Sequence, residues 1–199
     1  KGLYLLFFTE MWERFSYYGM RVLLVLFLTS ATLDQGFGWG SAEALRLYGL
    51  YTALIWLSPV IGGWLADSTL GQRKAVVIGG SLMALGHFMM AGPALLPLLV
   101  GQLSGVPAQD ILHSAGVSLG SLSPGGAAWQ GLDAHIANMG VAGGNAARYQ
   151  SAVHLAYILS TASFYLALCL LVCGVGLFKA NISTQVGLLY GDGDQRRDN

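Results

Sequence analysis

Four stretches of this 199-residue chain are long and apolar enough to be read as bilayer-crossing helices, over about 2–29, 43–66, 74–94 and 158–190. A helix needs roughly 20 predominantly apolar residues to cross a hydrocarbon core. The rest of the composition follows the same solvent: 54% of residues are hydrophobic, 10% are charged, and the mean hydropathy is +0.57. Soluble domains carry about 25% charged residues. Ten acids balance ten bases, so no basic surface marks nucleic acid as a partner. The chain reads as an all-α integral membrane protein with membrane lipid as its main surroundings.

Basic residues orient the helices. With the N-terminus inside, Lys1, Arg73, Lys74, Arg196 and Arg197 fall on the cytoplasmic side, and only Arg46 and Arg148 fall outside. That asymmetry predicts a multi-pass protein of the cell (inner) membrane with a cytoplasmic N-terminus. The first run is too long and too charged in its middle for a secretory signal, and it lacks a small-residue cleavage site. Lys1 is not an initiator Met, so an earlier start is expected. Residues 1–94 thus hold the first three spans and 158–190 the fourth, with 191–199 a cytoplasmic end. Between them, 95–157 reads as a long extracytoplasmic insert rich in Gly, Ser and Ala, including Ser123-Pro-Gly-Gly126 and Gly140-Val-Ala-Gly-Gly144. Ile111–Leu122 and Trp129–Met139 are expected as short interfacial helices within it. Helix four has room to begin earlier, because Ala146–Ser163 contains no breaker.

The first helix carries an anomaly. Glu10, Glu13, Arg14, Tyr17, Tyr18 and Arg21 recur at helical spacing and fall within an arc of about 140°. The opposite face carries Leu5, Phe8, Met11, Trp12, Phe15, Val22 and Val25. A charge at the bilayer centre costs about 2.5–3.5 kcal/mol, so four cost roughly 10–14 kcal/mol. The thirteen Leu, Val and Phe residues of the helix return only about 4–8 kcal/mol on the same scale. This face therefore cannot meet lipid; its charges pair or line a wet cavity. Glu10 and Arg14 form an i, i+4 pair of favourable orientation, and Glu13 adjoins the same guanidinium. Arg21 lies two turns beyond the nearest acid, more than a self-neutralised packing cluster requires.

Lys179 is the second intramembrane cation, deep in the fourth helix, on one face with Gly176 and Ser183. A glycine one turn before it lets another helix approach closely. A lysine there needs an acid, and Glu10 and Glu13 are the only carboxylates deep in the first three spans. Other candidates are weaker. Cys169 and Cys173 lie four apart on one helix with no companion His or acid, so they read as packing residues. His87 reads as a hydrogen-bonded helix–helix contact ahead of a proton relay. His113, His135 and His154 are too scattered for a metal site, and no metal or organic cofactor is expected.

Two of these segments carry matching motifs. Glu10-x-x-Glu13-Arg14-Phe15-x-Tyr17-Tyr18-Gly19 resembles the first-helix signature of the proton-dependent oligopeptide transporters, and Phe178-Lys179-x-Asn181-Ile182-Ser183 resembles their fourth-helix signature. Gly62-Gly-Trp-Leu-Ala-Asp67 followed by Gly71-Gln-Arg73-Lys74 is similar to a cytoplasmic loop signature of the wider major facilitator superfamily. An Asp67–Arg73 contact would brace that turn; a plain solvated hairpin is the alternative for the loop taken alone. Two positions depart from the pattern: Trp56 stands where a substrate-lining tyrosine is expected, and Ala180 where proline is frequent.

The resemblance implies four helices of the N-terminal six-helix bundle of such a transporter, the remaining transmembrane helices of the same protein being partners. It implies a symporter importing di- and tripeptides by alternating access, powered by the proton gradient alone. Glu10, Glu13, Arg14 and Lys179 would couple protons. Arg21 and Lys179, with Tyr17, Tyr18, Tyr51 and Trp56, would bind peptide, and Asp67, Gly71 and Arg73 would form a gating loop. A transporter of another solute, such as nitrate or a peptide-like metabolite, fits the stripe as well. An intramembrane enzyme would want a His-Glu-x-x-His or Gly-x-Ser-x-Gly motif, and neither is present. A non-transporting subunit would carry the buried charges at needless cost. Four spans are too few for a twelve-helix carrier, so the chain is expected to be the start of a longer one.

Overall fold

Apolar sequence interrupted by few breakers folds into helix almost throughout. The computed structural model describes residues 2–30, 36–116, 127–141 and 144–187. Among these lie α1 (Gly2–Thr29), α2 (Ser41–Leu65), α3 (Gln72–Met89), α4 (Gly92–Ser104), α5 (Ala108–Ala115), α6 (Ala127–Asn138) and α7 (Gly144–Gly187). A single π-helical turn, Ala66–Leu70, extends α2. Expectations for Lys1, Ser123–Gly126, residues 188–190 of the fourth helix and the end from 191 onward, with Arg196 and Arg197, lie outside the described residues.

Two boundaries differ from the sequence reading. The third helix ends at Met89 rather than near 94. Pro93, two residues into α4, has no N–H to continue the ladder and disfavours helix in the residue before it. The fourth long helix begins at Gly144 rather than near 158, because nothing between Ala146 and Ser163 breaks it. The insert is correspondingly more ordered than a Gly/Ser/Ala-rich loop: it holds α5, α6, most of α4 and the first turns of α7.

By length and composition, α2 with its π turn and α7 can each cross a membrane, and α3 with α4 makes a third if the broken pair is one span. α1 is not among them, although four spans were expected. It has the length, but Glu10, Glu13, Arg14 and Arg21 make it too polar to cross without burying that face against other helices.

The chain divides into two units. The first comprises the described residues of Lys1–Leu23, Gly49–His87 and Leu168–Asn199. Its packing rests on glycine. A Cβ at Gly62 of α2 would overlap the Gly176 carbonyl of α7, and one at Gly176 would stand 2.9 Å from the Ser58 Cβ. On the other side of α7, a Cβ at Gly174 would stand 2.6 Å from Met83 Cγ, and one at Gly79 would stand 2.7 Å from the Phe178 nitrogen. Small residues thus bring α2 and α3 to backbone contact with α7, as membrane helices require in the absence of a hydrophobic drive between them. Pro59 inside α2 cannot donate to the Ile55 carbonyl. The Ser58 hydroxyl donates to it instead, at 3.2 Å.

The second unit comprises Leu24–Tyr48 and Phe88–Ala167. Phe27, Phe37 and Phe164 form an edge-packed aromatic cluster, with Phe37 and Phe164 fully buried. His154 of α7 meets Asp133 of α6 at 3.0 Å beneath the Trp129 ring, and His135 of α6 meets the Ser114 hydroxyl of α5 at 2.9 Å. Arg148 donates to the Ser104 carbonyl at the end of α4. These contacts tie three short helices to the first half of α7.

Candidate functional site

Helical periodicity places the polar stripe of α1 on one face, and the first unit sets that face beside α2 and α7. Arg14 donates through Nη2 and Nε to one oxygen of Glu10, at 2.7 and 3.2 Å. Both side chains are half-exposed, 58% for Arg14 and 42% for Glu10, so the pair is not sealed in the core. Glu13, on the next turn, makes no ion pair with Arg14 within 4.0 Å among the described residues, but stays within electrostatic range of the same guanidinium. It is partly buried, and Lys179 of α7 lies within electrostatic range of it, as do Arg14 and Glu10 of its own helix.

Lys179 was expected to find an acid. Among the described residues no carboxylate lies within 4.0 Å of its ammonium. Its direct neighbour is the indole of Trp56, whose ring centroid stands 4.5 Å from Nζ. Sequence reasoning flagged Trp56 as a departure but missed this contact, which depends on how closely Gly176 lets α2 approach. In the same fourth-helix motif, Asn181 is buried and donates to the Leu177 carbonyl of its own helix at 2.7 Å.

The aromatic residues gather around these charges. Tyr17 and Tyr18 meet edge to face at 5.4 Å, and the Arg21 guanidinium stands 5.5 Å from the Tyr17 ring. Tyr51 of α2 is buried, 3% exposed, and within electrostatic range of Tyr17 and Glu13. One unit therefore brings together two acids, three cations, three tyrosines and a tryptophan from three helices. Such a patch can exchange one charge partner for another and can offer cationic donors to an anion. It holds no nucleophile–base pair, and the described residues include no cluster of metal-ligating side chains.

The expected gating loop stands apart from this patch. Asp67 and Arg73 are exposed and form no ion pair among the described residues. Main chain closes the turn instead: the Gly71 N–H donates to the Ala66 carbonyl at 2.8 Å, and Gly71 takes φ 76°, open to glycine at little cost. His87 likewise bonds within its own helix, Nδ1 to the Met83 carbonyl at 2.8 Å, rather than across to a neighbour. Cys169 and Cys173 are free and exposed rather than packed. Cys173 lines an apolar groove of about 360 Å³ between α2 and α7, with Leu57, Ile61 and Val172, which offers nothing to a charged solute.

Comparison with known proteins agrees with this assembly. Across 200 residues the chain is 31% identical to a di-/tripeptide transporter of Lactococcus lactis subsp. lactis, covering all of this chain and 27% of that protein. It is 32% identical over 193 residues to the peptide transporter YePEPT of Yersinia enterocolitica, covering 97% of this chain and 25% of that one. In three dimensions it resembles the crystal structure of a mutant peptide transporter POT in complex with alafosfalin. That match has a TM-score of 0.63 and 32% identity, over all of this chain and 27% of the other. The chain thus spans about a quarter of the length of these relatives. The POT family profile matches residues 73–199. That match takes in nearly all of α3 and the whole of α7 with Lys179, while the first-helix motif and the turn after α2 lie before it and are covered by the full-length likenesses. The chain is an integral membrane protein of the POT family.

Proposed function

We propose that this chain forms the N-terminal part of a proton-coupled symporter that imports di- and tripeptides by alternating access across the cell membrane, its N-terminus cytoplasmic. The observation that carries the reading is the charge patch shared by α1 and α7, with the Lys179 ammonium over the Trp56 ring and within electrostatic range of Glu13. Family membership and relatives named as peptide transporters support the same conclusion.

The chemistry follows from the geometry. A proton on Glu13 removes the negative charge that faces Lys179, and a proton on Glu10 releases Arg14. Either event changes the attraction within or between helices, and so biases one packing over another. Lys179 and Arg21 offer cationic donors to the terminal carboxylate of a peptide. Tyr17, Tyr18 and Tyr51 supply neutral donors and aromatic walls that tolerate varied side chains. The proton gradient supplies the energy, and no cofactor enters. The turn at Asp67, Gly71 and Arg73 serves as a cytoplasmic gating loop.

Glu10→Gln and Glu13→Gln in the full-length protein test the coupling. Coupling between two ligands is typically about 5- to 150-fold. Each variant is expected to lose most of that factor in pH-driven dipeptide accumulation while keeping measurable peptide exchange. Wild-type pH-driven accumulation in both variants would remove these acids from the coupling role.

A further inference from the structure

Trp56 and Lys179 meet because of a backbone contact two residues away. A Cβ at Gly176 would stand 2.9 Å from the Ser58 Cβ and carbonyl oxygen, so α2 passes α7 too closely for any side chain larger than glycine at that position. Trp56 precedes Ser58 by two residues and Lys179 follows Gly176 by three. That register sets the indole face over the ammonium at 4.5 Å, well within the ~6 Å at which a ring quadrupole attracts a cation. Indole gives the strongest such face among the aromatic side chains.

The ammonium has an alternative. Glu13 lies within its electrostatic range, with Arg14 and Glu10 acting on the same acid from α1 and Tyr51 nearby on α2. Yet no carboxylate among the described residues is within 4.0 Å of Nζ. The two partners differ in kind. A carboxylate neutralises the ammonium and must be displaced before another anion can take its place. A ring stabilises the cation without cancelling its charge and leaves N–H donors free to point elsewhere.

We propose that Trp56 is a positioning residue: its indole holds the Lys179 ammonium off Glu13, so that the charge stands ready for an incoming carboxylate. The inference rests on the transport reading, in which Lys179 receives the peptide's carboxyl terminus. It also accounts for tryptophan where a tyrosine is expected. The contribution of this position passes through Lys179, and a hydroxyl on the ring is not required for it. Without the ring, Lys179 falls back on Glu13, and each peptide must first break that pair; the gain from Trp56 is pre-organisation.

Fluorinated tryptophans at position 56 separate the π face from the ring's shape. Introduced by nonsense suppression into the full-length protein in proteoliposomes, residues carrying one to four fluorines keep the packing and progressively weaken the face. The KM for dialanine is expected to rise stepwise with fluorine number, by about 2-fold to about 30-fold in total, with the maximal exchange rate retained. Trp56→Phe should fall within the series and Trp56→Leu at its weak end. A peptide-transporting protein whose KM is flat or falls across the series overturns the role of Trp56 alone. An unaltered protein that takes up no peptide overturns the transport reading as well.

Discussion

At the scale of single residues, the chain keeps its intramembrane charges in two kinds of company. Glu10 and Arg14 hold each other within one helix at 2.7 Å, an interaction that spacing alone dictates. Lys179 is held across helices by an aromatic face, and spacing cannot reveal that. Under the proposed role of Lys179, replacing it with Ala removes a charge-assisted hydrogen bond to substrate, worth about 1.5–3 kcal/mol. Peptide affinity measured by calorimetry should therefore fall roughly 10- to 150-fold. Wild-type affinity would remove Lys179 from the binding site. The stripe of α1 was legible in the sequence because helical periodicity fixes which side chains share a face. The separation of Glu13 from Arg14 was not. It depends on side-chain conformation, which spacing does not fix.

At the scale of elements, small residues decide which side chains meet. Gly62 and Gly176 permit α2 and α7 to touch through their backbones, and Gly79 and Gly174 do the same for α3 and α7. Gly62→Leu forces a side chain into space filled by the Gly176 carbonyl. Overpacking of this kind costs about 1–3 kcal/mol, and it shifts Trp56 away from Lys179. A lower thermal midpoint in detergent and weaker dialanine uptake are expected together; an unchanged midpoint would show that α2 does not pack on α7 at this glycine. The glycine one turn before Lys179 could be read from the sequence as a point of close approach, but which helix would come there could not. The end of α3 was missed, and the early start of α7 was legible only as the lack of a breaker between Ala146 and Ser163. Hydropathy runs on through Pro93, whose missing N–H ends the ladder, whereas helix α7 extends back through residues too polar to be counted in a span.

At the scale of the whole molecule, α1 sets the requirement. A helix with Glu10, Glu13, Arg14 and Arg21 on one face crosses a membrane only when other helices cover that face. α2 and α7 supply part of the cover. The chain spans 27% of the length of the Lactococcus relative, so the proposed peptide recognition and opposite gate would be properties of a larger assembly. Membership of the POT family could be read from two short motifs because those residues carry the charge chemistry. The order within 95–157 was harder to read. Its helices are short, and the contacts that fix them, such as Asp133 with His154, are distant in sequence.

The most direct test of the account is solute uptake by the full-length protein in proteoliposomes under an inward proton gradient. Accumulation of dialanine above its external concentration, abolished by a protonophore and absent for nitrate, is the predicted result. Proton-driven accumulation of nitrate without peptide, or peptide uptake indifferent to the protonophore, would contradict it.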